Sequence, residues 1–129
     1  MRPKLLLAVA VALSVSMTSA LAEDCPVKSI DMDAIIAALN AAPDCDTSMK
    51  LFEACQFGST ADIQFGDVVE KKCEAQFLTK LKPTQQHTYQ DQLGRCDAKF
   101  AGKQGTMWRS AAAMCRASVS QRTAQGKLK

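Results

Sequence analysis

A chain of 129 residues is one domain's worth of sequence, which excludes a multidomain assembly. Its net charge of +3 comes without a basic stripe interleaved with aromatic residues, and that excludes a nucleic-acid-binding face. The modest total hides an asymmetry: residues 23–79 hold eleven acids against four bases, whereas residues 80–129 hold two acids (Asp91, Asp97) against ten bases.

From the first residue, Arg2 and Lys4 make a positive start, Leu5 to Val15 an apolar run, and Ala20-Leu21-Ala22 a small-x-small cleavage site. The run is too short to span a hydrocarbon core of roughly 30 Å, so residues 1–22 read as a signal peptide and not as a membrane anchor. Asp24, not a small residue, precedes Cys25, so no lipid anchor is expected either. Cleavage after Ala22 shortens the 129-residue chain to 107, residues 23–129, a single helical domain with a thin core. The expected location is the periplasm, or the extracellular space.

Helical periodicity runs through almost all of the remainder. Ser29 to Ala42 puts Met32, Ile35, Ile36 and Leu39 on one face, and Pro43 stops it. A second helix is expected from about Thr47 to Phe57, with Leu51, Phe52 and Cys55 inward and Gly58 past its end. Ser59-Thr60-Ala61-Asp62 reads as a start signal. It opens the longest helix, whose stripe is Phe65, Val69, Cys73, Phe77 and Leu81, with Gly66 a candidate kink or break. Pro83 suits the first turn of a fourth helix carrying Tyr89, Leu93, Cys96 and Phe100. After a turn over Gly102 to Gly105, a last helix carries Trp108, Ala112, Cys115 and Val119, and the tail 124–129 is expected to fray. The fold class is therefore all-α: a small, disulfide-stapled bundle of four to five helices.

All six cysteines, Cys25, Cys45, Cys55, Cys73, Cys96 and Cys115, follow the leader, which indicates a disulfide framework in an oxidising compartment. Short connections make neighbouring helices antiparallel, so bonded cysteines should lie equally far from the turn between them. Cys96 and Cys115 centre on the Gly105 turn, Cys45 and Cys73 on Gly58-Ser59, and Cys25 and Cys55 close to Pro43. Cys73 with Cys96, centred beside Pro83, passes the same test.

Chemistry is sparse. His87 is the single histidine and sits among glutamines on a helix. No Gly-x-Ser-x-Gly, no Cys-x-x-Cys and no glycine-rich phosphate loop occurs, so no catalytic residue, metal or cofactor is expected. Asp31 and Asp33 lie at a helix start, where capping explains them. Met32, Met49, Met107 and Met114 are scattered and read as packing rather than as a copper set.

Trp108, Arg109 and Cys115 on the closing helix, with Tyr89 and Cys96 one helix earlier, resemble the small exported proteins grouped with the LprI-type lysozyme inhibitors. The resemblance covers roughly residues 52–117. It implies a non-enzymatic envelope protein that protects the cell wall from host lysozyme. The acidic half offers a physical route to a basic enzyme of that kind, with Asp62, Asp67 and Glu70 as the candidate partner surface. Two other readings stand beside it: a carrier of a small apolar ligand between helices, with room left by Ala111, Ala112 and Ala113, and a structural envelope protein.

Overall fold

Asp31 and Asp44 start the first two helices. The Asp31 side chain accepts a hydrogen bond from the Asp33 N–H (3.2 Å), and Asp44 accepts one from the Thr47 N–H (2.7 Å). In the computed structural model, which describes residues 24–129, α1 accordingly spans Met32–Ala41 and α2 Cys45–Cys55. Three longer helices follow: α3 over Ala61–Phe77, α4 over Pro83–Ala101 and α5 over Thr106–Ala124, with a short 3-10 turn at Leu78–Lys80. The protein is an all-α bundle of five helices, and the described residues contain no strand. The expected leader and the new N-terminus at Glu23 lie outside the described residues.

Three disulfides staple the bundle: Cys25–Cys55, Cys45–Cys73 and Cys96–Cys115, with Cα atoms 4.7, 4.6 and 5.6 Å apart. Cys45–Cys73 and Cys96–Cys115 are centred on the turns at Gly58 and Gly105, Cys25–Cys55 is centred at the end of α1 close to Pro43, and Cys73 turns to Cys45 rather than to Cys96. Three such bonds are the mark of an oxidising compartment outside the cytoplasm. No described helix is long and apolar enough to cross a membrane.

The core is built around α3, whose Phe65, Val69, Cys73 and Phe77 are buried against Ile35 and Leu39 of α1, Phe52 of α2 and Tyr89 of α4. Aromatic rings meet edge to face, Phe52 with Phe65 at 6.3 Å and Phe77 with Tyr89 at 5.0 Å between centroids. Lys72 on α3 donates to the carbonyls of Asn40 and Ala42, closing the end of α1.

Several sequence expectations change here. The third helix is not the longest: α3 has 17 residues against 19 in α4 and in α5, and it ends at Phe77, before Leu81. The second helix stops at Cys55, not Phe57, because the Phe57 and Gly58 N–H groups turn away to the Asp62 carboxyl. Gly66 neither kinks nor breaks α3, which runs unbroken past it. The missing side chain instead lets α5 approach: a Cβ there would stand 3.1 Å from the Ala113 Cβ and 3.2 Å from the Ala113 carbonyl oxygen. On α5 the buried line is Ser110, Ala113, Ala117, Ser120 and Thr123, with Val119, whereas Trp108, Ala112 and Cys115 are only half-buried toward its flank. Small residues win that face because α3 is so close.

The tail 124–129 folds back on the bundle in the structure. Gly126, at φ +76°, turns the chain so that its N–H bonds the Thr123 carbonyl and the Lys127 N–H bonds the Arg122 carbonyl. That is a Schellman closure, and Leu128 packs against the core behind it. The Gln92 side-chain amide then donates to the main-chain oxygen of Lys129.

Candidate functional site: a charged cleft between the third and fifth helices

The three carboxyl groups nominated as a partner surface separate in the structure. Asp62 is fully buried and belongs to no surface. Its carboxyl group accepts hydrogen bonds from the N–H groups of Phe57 (2.8 Å), Gly58 (2.8 Å) and Ser59 (3.2 Å), and from the Ser110 hydroxyl (2.6 Å). The cause is local. The loop between α2 and α3 needs acceptors for three N–H groups that no helix satisfies, and a carboxyl at the start of α3 supplies them.

Asp67 and Glu70, three residues apart and so on one face of α3, line a cleft that α5 closes. The cleft holds about 300 Å³ and is bounded also by Ile63, Asp97, Arg109 and Arg116 over a floor of Gly66, Ala112 and Ala113. The tight packing of Gly66 on Ala113 makes the floor shallow and firm.

Arg116 organises the interior. Its Nε–H and Nη2–H groups donate to the two oxygens of Glu70 at 3.1 and 2.8 Å, and Nη1–H donates to Asp97 Oδ2 at 2.7 Å. The Arg–Glu fork spans α5 and α3, and the Asp97 bond ties in α4. Glu70 keeps only 13% of its side-chain surface. Burial pushes its carboxyl above the ordinary value; Arg116 pulls the other way, and the negative charges of Glu74 and Asp67 add to the rise. At the mouth stand three side chains free of such pairing: Asp67, Arg109 and Ile63, the last 40% exposed.

Arg109 and Arg116 were not singled out from sequence as cleft residues, although the signal was present. They lie seven apart, two helical turns, on one face of α5, as Ile63, Asp67 and Glu70 do on α3. What periodicity omits is that these two faces meet.

Other sequence candidates lie elsewhere. His87, on the outside of α4, is 80% exposed at its side chain and stands 3.5 Å from Asp91. Met49 is buried in the core and Met107 is exposed at the start of α5. Ala113 sits against Gly66, and with Ala112 it forms the floor of the charged α3–α5 cleft rather than of an apolar cavity. An open groove of about 460 Å³ lies instead between α1 and α2, lined by Pro26, Ala38, Ala41, Ala42, Leu51 and Ala54 with the stems of Thr47 and Lys50. Comparison of the chain with protein-family models, curated proteins and solved structures finds no match.

Proposed function

We propose that this is an exported, non-enzymatic binding protein of the cell envelope, cleaved after Ala22 and resident in the periplasm, that acts by occupying a partner protein through the α3–α5 cleft. The reading rests on the cleft's build. Arg116 spends three of its five N–H donors on Glu70 and Asp97, which braces the cleft's interior, while the rim presents Ile63 with Asp67 and Arg109, whose side chains form no ion pair among the described residues. A rim of one acid and one base around a partly exposed aliphatic side chain suits a protein surface, where charge sets register and encounter rate. The apolar leader and the three disulfides support export.

The partner class favoured by charge is a basic enzyme, and host-type lysozyme is the first to test, as the resemblance to LprI-type inhibitors implies. Lysozyme hydrolysis of cell wall is measured at low salt with the oxidised protein and two variants. Asp67→Lys weakens inhibition at least tenfold, while Arg109→Glu strengthens it, because the partner is positive. No inhibition by the unmodified protein, or equal inhibition by all three, overturns the reading.

The α1–α2 groove favours a second reading, a carrier of a small apolar ligand, since alanines and Leu51 leave an apolar channel open to one side. Native mass spectrometry of the protein purified from its own envelope decides it. A bound hydrophobe displaced by Ala54→Trp supports the carrier, and a bare protein ends it.

A further inference from the structure

Five of the ten bases of residues 80–129 gather in one place. On the outer side of the α4–α5 pair, two adjoining pockets of about 330 and 390 Å³ share Gln92, Arg122 and Lys129. Between them they are lined by five cationic side chains: Arg95 and Lys99 of α4, Arg122 of α5, and Lys127 and Lys129 of the tail. No carboxylate side chain lines either pocket; the one anionic group at hand is the main-chain carboxylate of Lys129, held by Gln92, and none of the five cations forms an ion pair among the described residues, so cations stay in clear excess. The floor is the Cys96–Cys115 disulfide with Val119, which holds the two helices at a set spacing beneath the charges.

The helix dipole accounts for part of this. Lys99 and Arg122 each stand in the final turn of a helix, where a cation is stabilised. It does not account for Arg95, which is earlier in α4, or for the tail. Left to repulsion, a tail carrying Lys127 and Lys129 would swing away from Arg95 and Arg122 into solvent. The Gly126 closure and the Gln92 bond to Lys129 draw it back across the same groove. Gathering unpaired like charges against their repulsion leaves an anion as the missing counterpart.

The geometry points to a binding site for a multiply charged phosphate anion, of the size of a few linked phosphate groups, in this groove. Two guanidinium groups supply forked donors that match phosphate oxygens, and three ammonium groups supply point charges around them. The site is separate from the α3–α5 cleft and does not depend on what that cleft binds. The same phosphate chemistry is carried by a free oligophosphate and by the headgroups of an anionic lipid surface.

Inorganic tripolyphosphate is the direct probe. Titrated calorimetrically into the oxidised protein at about 0.15 M salt, where exposed charges are largely screened, it is expected to bind saturably with one-to-one stoichiometry. The Arg95→Gln/Arg122→Gln variant weakens that binding at least tenfold. Lys80→Gln/Lys82→Gln removes the same charge from outside the groove and changes it less than twofold. Co-sedimentation with phosphatidylglycerol vesicles separates the sources. Vesicle binding that tripolyphosphate displaces identifies a lipid headgroup, and tripolyphosphate binding without vesicle binding identifies a free anion. Equal weakening by the two double variants, vesicle binding without tripolyphosphate binding, or binding of neither probe overturns the site.

Discussion

Asp62 and Ser110 are 48 residues apart in the chain, and their side chains meet at 2.6 Å in the interior. That bond ties the first turn of α3 to α5 and completes the shell of donors around the buried carboxyl. Asp62→Ala strands three backbone N–H groups and a hydroxyl at once. The expected cost is roughly 3 kcal/mol or more, since each stranded buried group costs about 1–3 kcal/mol. Ser110→Ala removes one donor and is expected to cost about 1 kcal/mol. Urea unfolding of the two variants checks the order; a milder effect for Asp62→Ala would remove the carboxyl from its place as the organiser of that loop.

Two helical glycines are expected to respond in opposite directions to the same substitution. At Gly66 the new methyl group meets the Ala113 carbonyl oxygen at 3.2 Å, and a helix backbone cannot easily give way. Overpacking of about 1–3 kcal/mol outweighs the gain of roughly 1 kcal/mol in helix propensity. At Gly94, exposed on α4, a Cβ meets nothing within 4 Å, so Gly94→Ala stabilises by about 0.5–1 kcal/mol. Thermal melts of both proteins test the pair. A neutral Gly66→Ala would mean that α3 and α5 are not held at this distance.

The Cys45–Cys73 bridge joins α2 to α3 across a sequence separation of 28, and both sulfurs are buried. Chain entropy alone assigns such a loop about 3.5 kcal/mol. Cys96–Cys115, with a separation of 19, is worth nearly as much on that count, but Cys115 is only half-buried. Cys45→Ala/Cys73→Ala therefore lowers the melting temperature more than Cys96→Ala/Cys115→Ala, because it also opens space in the core. The reverse order in calorimetry would contradict the packing described for α2.

Glu70 links stability to pH in the direction opposite to an ordinary ion pair. Burial raises its carboxyl in the folded state, so the folded protein holds the extra proton over the titration range. Its contribution is fully present below the unfolded value, near 4.3, and is lost as pH rises through the folded value. Unfolding at pH 3.5 and pH 7 is compared between the unmodified protein and Glu70→Gln, which cannot titrate. The unmodified protein loses ground to the variant as pH rises. If it gains instead, the Arg116 bonds outweigh burial. Asp44 runs the other way: its hydrogen bonds from Thr47 hold its carboxyl below the usual range, and that support disappears as pH falls through the lowered value.

Local signals carried most of the architecture. Apolar residues four apart mark α3, Pro43 and Pro83 mark helix edges, and glycines at 58 and 105 mark the turns about which the cysteines pair. Each depends on a few neighbouring residues and on the 3.6-residue repeat, so the linear chain was enough to specify an all-α bundle of four to five helices, and the structure has five. The tertiary structure decided everything that depends on which faces meet. Asp62 reads as a helix-start acid on a candidate partner surface until Ser110 arrives from α5 to bury it. Gly66 reads as a weak point until Ala113 fills the space it leaves. Ser110, Ser120 and Thr123 read as polar, yet they form an inner face because their hydroxyls are satisfied there by the Asp62 carboxyl, Tyr89 and the Val119 carbonyl. The Glu70–Arg116–Asp97 network and the tail lysines follow the same rule. Side-chain pairing over long sequence distances is fixed by packing, and local periodicity carries no term for it.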